Sequence, residues 1–165
     1  MYTIISGTNR IGSNTLKVAR EYQYFFTQKN IHCELLSLEK MNSLYRNATF
    51  EEIENNILIP TKKFIIIVPE YNGVFPGIFK LMLDHTTIEP CWRNKKVMLV
   101  GVSNGRAGNL RGLDTLNNMF NYLGVHVLPT NLPLSNINAE LQMDKLCKQQ
   151  TMDTILLQID KFISF

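Results

Sequence analysis

The chain has no long hydrophobic run. Its most extended apolar stretch, Phe64 to Pro69, is only strand-length, whereas a membrane-crossing helix needs about 20 apolar residues, so no membrane span is expected. Met1 leads directly into Tyr2-Thr3-Ile4-Ile5. The basic start, apolar stretch and small-residue cleavage site of a secretory signal are missing, which sets a cytoplasmic expectation. Cysteine is scarce. Cys33, Cys91 and Cys147 are odd in number and share no CxxC spacing, which argues against a disulfide framework and a zinc site and reads as three reduced thiols. His32 and His126 lack metal-ligand spacing and the acidic residues form no cluster, so no metal is expected. Long Lys/Arg blocks are also missing. The net charge of +3 comes from scattered residues, and a small anionic ligand fits it better than a nucleic acid.

What is present is enough apolar material for one core. Over 165 residues, 45% are apolar and 19% charged, which places the chain among globular proteins and predicts a single domain spanning 1–165. Short apolar runs at 2–6, 32–38, 63–69, 96–102 and 125–128 read as strands covered on both faces. Between them lie helix-period segments, Asn14 to Gln28, Phe50 to Leu58, Pro76 to Ile88 and Gly108 to Leu123, with a last helix from about Ala139 to Phe162. Lys40 to Thr49 and Pro129 to Asn138 read as loops long enough to shape a pocket. Five strands separated by helices predict a parallel, doubly wound α/β sheet. Ligands of such sheets bind beyond the carboxyl ends of the strands, where the strand order reverses.

The loops after strands one, three and four are chemically unusual. Ser6-Gly7-Thr8-Asn9-Arg10-Ile11-Gly12-Ser13-Asn14-Thr15 joins a strand to a helix through hydroxyls, amides and one guanidinium. A helix start offers free amide donors and positive potential to an anion, and Arg10 adds a charge-assisted contact. Neither GxxxxGK[ST] nor GxGxxG is present, so a terminal monophosphate suits it better than a triphosphate or a pyrophosphate. A polar loop with Ser13 as a simple helix cap is the alternative. Strand three ends in Pro69-Glu70-Tyr71-Asn72-Gly73, with flat apolar surface beside amide groups, which suits a flat heterocycle; a plain Asn72-Gly73 turn is the alternative. Strand four ends in Ser103-Asn104-Gly105-Arg106-Ala107-Gly108-Asn109, whose small residues let the backbone approach a ligand or merely turn the chain.

The segments GTNRIGSNT, PEYNGVFPGIFKLMLDH and SNGRAGN, in this order, resemble the NADPH-dependent FMN reductase family, which includes azoreductases, quinone reductases and chromate reductases. The resemblance covers nearly the whole chain. It implies a flavodoxin-like fold, a five-stranded parallel sheet in the order 2-1-3-4-5, and a homodimer or homotetramer. It also implies FMN as cofactor, with NADPH or NADH as hydride donor and a small-molecule electron acceptor. By position, Thr8, Arg10, Ser13, Asn14 and Thr15 are implied to hold the FMN phosphate. Pro69, Glu70, Tyr71, Asn72 and Gly73 would line the isoalloxazine, with Ser103, Asn104, Gly105 and Gly108 on its other side. Thr8 stands where the family often has Ser, and keeps the hydroxyl.

The flavin would carry the redox chemistry, so no catalytic acid-base pair is required. Asp84-His85 faces two directions on its helix and is read as structural. Arg106 has two readings, a direct contact to the nicotinamide nucleotide or an intersubunit salt bridge. Ile78, Phe79, Leu81, Met82 and Leu83 nearly encircle their helix, which points to a second buried face, a dimer interface. The rival reading of the whole chain is a flavodoxin-like FMN electron carrier without NAD(P)H reactivity, against which the positive net charge counts.

Overall fold

Successive side chains along a strand point to opposite faces, and the central strands are apolar on both. In β3 (Lys63–Pro69), Phe64, Ile66 and Val68 enter one core while Ile65 and Ile67 enter another. In β4 (Lys96–Val102), Val97 and Leu99 join the first core and Met98, Val100 and Val102 the second. The computed structural model describes residues 1–41 and 45–165. In it α1 (Asn14–Gln28) and α7 (Gln149–Ser164) cover one face, through Val18, Tyr22, Phe26, Ile155, Ile159 and Phe162. The other face is covered by α2 (Ala48–Ile53), α3 (Gly77–His85), α4 (Ile88–Cys91) and α5 (Leu110–Tyr122).

β1 (Tyr2–Ser6) pairs with β2 (Cys33–Ser37) and β3, and β3 with β4, all in parallel. With β5 at His126–Val127, the order is β2-β1-β3-β4-β5, the flavodoxin-like order implied by the resemblance.

Four expectations are corrected. The fifth strand is split into β5 (His126–Val127) and β6 (Leu132–Leu134), both paired with β4, so the sheet has six strands and the expected loop 129–138 contains one of them. Leu128 N–H donates to Val97 O at 2.8 Å, but Pro129 has no N–H to continue the ladder. The gap is bridged by buried Gln158, whose amide donates to Leu99 O at 3.2 Å and Thr130 O at 3.0 Å and accepts from Tyr22 Oη at 2.8 Å.

The helix expected from Ala139 starts only at Gln149. Before it come α6 (Ile137–Glu140) and an antiparallel pair, β7 (Leu141–Gln142) and β8 (Lys145–Leu146), joined by Met143-Asp144 at positive φ. The segment Pro76 to Ile88 breaks at Thr86, whose hydroxyl donates to Leu83 O at 2.7 Å and accepts from Trp92 Nε1 at 2.7 Å. The segment Phe50 to Leu58 begins at Ala48 and changes to a π-helical turn over Glu54–Leu58. The loop expected over Lys40 to Thr49 lies partly outside the described residues.

At the amino ends of the strands, lysines fasten helix ends. Lys63 Nζ donates to Phe162 O at 2.9 Å and Ile163 O at 3.0 Å, and Lys95 Nζ to Leu58 O at 2.7 Å and Ile59 O at 2.8 Å. Cations suit these positions because helix carboxyl ends carry unpaired carbonyls and negative potential.

Candidate functional site

β1 and β3 are neighbours, yet their following helices pack on opposite faces. The two loops therefore part above the carboxyl ends and open a crevice. A cavity of about 260 Å³ lies there, walled by Arg10 through Thr15, Pro69 through Tyr71, and Val102 through Asn104, with Ile137.

The β1 loop is fixed by its own polar groups. Ser13 Oγ accepts from Leu16 N–H at 3.1 Å, capping α1, while Thr15 is buried beside it. Thr8 is 1% exposed. Its hydroxyl bonds Tyr71 Oη at 2.8 Å and accepts from Arg10 N–H at 3.3 Å. The Arg10 guanidinium lies 4.5 Å from the centre of the Tyr71 ring. Tyr71 thus ties the third loop to the first, and the exposed guanidinium above it faces the cavity.

Asn72 and Gly73 are the centre of a tight turn. Both have positive φ, and Tyr71 N–H donates to Val74 O at 2.8 Å with the reciprocal bond at 3.2 Å. Asn-Gly is the dipeptide that such a turn favours. The turn aims Tyr71 at the crevice, while Asn72 and Gly73 themselves stay off its wall.

Ser103 and Asn104 line the cavity, and Gly105 and Gly108 do not. Gly108 serves packing: its φ is +58°, and a Cβ there would meet Pro133 at 2.6 Å. The adjoining Asn109, the last residue of the SNGRAGN segment, is the buried fastener of two loops, a role its place in the segment does not announce. Its Nδ2 donates to Val68 O at 3.2 Å and Pro69 O at 3.0 Å, and its N–H to Glu70 Oε2 at 3.2 Å. Three further residues escaped sequence reasoning. Ile137 lines the cavity, Asn138 accepts from Asn14 Nδ2 at 2.7 Å and donates its N–H to Asn104 Oδ1 at 3.2 Å, and Glu39 Oε1 accepts from Gly12 N–H at 2.6 Å. None belongs to a motif, because each is brought in by tertiary folding alone.

Other reactive groups lie away from the cavity. Burial pushes the Cys33 thiol up to about 12, and burial together with the Glu54 carboxylate does the same to Cys91. Burial would raise the Glu54 carboxyl, but hydrogen bonds from the Arg46 guanidinium, Thr87 N–H and the Cys91 thiol outweigh it and hold the group down to about 2. Among the described residues no cluster of three His, Cys, Asp or Glu could hold a metal, and no helix is long and apolar enough to cross a membrane.

The arrangement joins a helix start rich in polar donors to a slot beside an aromatic ring. Known proteins resemble the chain in sequence and fold. The model of the family described as NADPH-dependent FMN reductase matches residues 2–139. An FMN-dependent NADPH-azoreductase of Staphylococcus aureus is 31% identical over 113 residues, 62% of this chain, and the match spans only 60% of that protein's length. An apo NADH:FMN oxidoreductase structure superposes with a TM-score of 0.81 at 18% identity, covering 99% of this chain and 89% of the other. The flavoenzyme NAD(P)H:(acceptor) oxidoreductase FerB from Paracoccus denitrificans gives 0.79 at 18% identity, covering 99% and 94%. At such identity these likenesses establish the fold.

Proposed function

Because the chain belongs to the NADPH-dependent FMN reductase family, we propose that it is an FMN-dependent NAD(P)H oxidoreductase. On this reading it takes reducing equivalents from NADPH or NADH and delivers them to a small acceptor, such as a flavin, quinone, azo compound or metal oxyanion, in alternating half-reactions. The observation that carries the reading is the convergence of Arg10–Thr15, Pro69–Tyr71 and Ser103–Asn104 on one cavity at the switch point of the sheet.

The residues present fit FMN. Arg10, the Ser13 hydroxyl, Asn14 and Thr15 form a donor set suited to a terminal phosphate, with the buried Thr8 beneath it. Pro69, Glu70 and Tyr71, with the Asn72-Gly73 turn behind them, would flank the ring system on one side. Ser103 and Asn104, supported by Gly105 and Gly108, would flank it on the other. When bound, FMN supplies the hydride-accepting chemistry. The protein's part is to orient the ring, exclude water from one face and leave the other open. Arg10 and the exposed Arg106 put positive charge at the mouth, which draws an anionic nicotinamide nucleotide.

We also propose that one domain spanning 1–165 carries this activity as a homodimer or homotetramer. In the single chain Phe79, Met82 and Leu83 of α3 are buried, Ile78 and Leu81 are half-buried, and only Lys80 and Asp84, joined as an ion pair, stand fully outward near its centre. The apolar flank at Ile78 and Leu81 is the surface a second copy would cover.

Anaerobic NADPH mixed with FMN-loaded protein should bleach the oxidised flavin band, and a quinone or azo dye added afterwards should restore it with parallel initial-rate lines. Gly105→Val should slow bleaching more than it weakens FMN binding, since a Cβ at Gly105 meets nothing closer than Ser103 Oγ at 3.7 Å. If neither NADPH nor NADH reduces the flavin while a reduced protein partner does, the chain is an electron carrier.

A further inference from the structure

Glu39 lies just past β2, in the single helical turn Leu38–Lys40. Its N–H donates to Ser37 Oγ at 3.2 Å, which fixes the turn against the end of the strand. From there the side chain crosses to the β1 loop, where Oε1 accepts from Gly12 N–H at 2.6 Å. Gly12 lines the cavity between Arg10 and Ser13. A carboxylate of the chain itself therefore sits on a backbone donor of the loop whose other donors are suited to phosphate. The contact is short for an N–H donor, as bonds to an ionised acceptor are. An incoming phosphate would meet this oxyanion twice, as a competitor for the Gly12 N–H and as a like charge within a few ångströms.

We propose that Glu39 is a specificity-determining residue that opposes the terminal phosphate. In the ligand-free protein it fills the Gly12 donor, phosphate binding displaces it, and the displacement lowers the affinity for FMN without affecting riboflavin. The inference rests on the β1 loop being the phosphate cradle. It concerns how strongly that cradle holds, and it predicts a cofactor that exchanges rather than one held permanently.

The test is calorimetric titration of the wild-type protein and Glu39→Gln with FMN, riboflavin and inorganic phosphate. Glutamine keeps the length and an acceptor oxygen and removes the charge. Glu39→Gln should bind FMN and inorganic phosphate about five- to tenfold more tightly, as expected for removing one partly screened like charge, and riboflavin unchanged. Raising the salt concentration should narrow the gap between the two proteins. Glu39→Ala, which removes the acceptor as well, should shift FMN affinity in the same direction, and thermal unfolding of both variants verifies that they are folded. FMN binding by Glu39→Gln at wild-type strength or weaker overturns the proposal. Wild-type protein that binds FMN no better than riboflavin would instead overturn the phosphate reading of the loop, and this inference with it.

Discussion

Two regions of the molecule present the same chemistry to an anion and dispose of it differently. Around Glu54, a backbone N–H of Thr87 and the Arg46 guanidinium meet a carboxylate that the chain supplies from its own π-helical turn. Around the β1 loop, the N–H of Gly12 meets the half-buried carboxylate of Glu39 from another segment, while Arg10 and Ser13 line a cavity. Glu54 is 3% exposed, and its arginine is aimed at it and at His85 O. Arg10 is exposed and rests on an aromatic ring that a stronger partner can replace. The first set is a closed internal salt link whose product is stability. The second is held by an exchangeable carboxylate and an aromatic ring, and its guanidinium remains available for binding.

This contrast can be broken from either side. The largest expected effect is on the closed set: Glu54→Leu leaves the Thr87 N–H without its acceptor and takes from the Arg46 guanidinium its buried partner, and should cost about 2 to 3 kcal/mol in urea unfolding, with FMN affinity of the folded protein unchanged. Arg10→Ala should do the reverse. Loss of one charge-assisted contact weakens FMN binding by roughly ten- to a hundredfold, while the ligand-free protein unfolds within about 0.5 kcal/mol of wild type.

A subtler separation comes from pH. The Glu54 carboxyl, held down to about 2 in the folded chain against an ordinary value of 4.5, contributes stability that is complete above the ordinary value. That contribution is lost as pH falls from there through about 2. Glu54→Gln should flatten this acid limb of the stability curve. The smallest effect concerns the open set: millimolar inorganic phosphate should raise the unfolding midpoint of the wild type by a degree or two, about 0.5 kcal/mol, and should leave Arg10→Ala unmoved.

Hydrophobic runs made the first four strands legible, because strands buried on both faces carry a signal that tertiary context does not alter. β1, β3 and β4 begin and end where the runs do. The fifth failed at Pro129, where a side-chain amide substitutes for a backbone donor and no local pattern announces it. The hairpin over residues 141–146 failed for a related reason. Its turn residues, Met143 and Asp144, take positive φ without a glycine or asparagine to signal it, and its apolar spacing also fits a helix.

At the site, Arg10, Tyr71 and Ser103 were legible because each stands in a loop whose composition is unlike an ordinary turn. Asn72 and Gly73 proved to be the turn that their dipeptide suggests, positioned behind the cavity wall. Glu39, Ile137, Asn138 and the fastening role of Asn109 were illegible because their partners lie in distant segments, and one carboxylate or amide in a loop looks like any other.

The broken fifth strand has one more consequence. β5 and β6 pair with β4 on one side only, so their other side is the sheet's outer border. A continuous border strand offers a row of free donors and acceptors on which a second chain can add its own strand. Here that row is two and three residues long on either side of an interruption, with Pro129 at the break and Pro133 inside the second piece. Edge-to-edge growth finds no template there. A second copy approaching this side of the sheet would have to dock on helical surfaces rather than add a strand to the border.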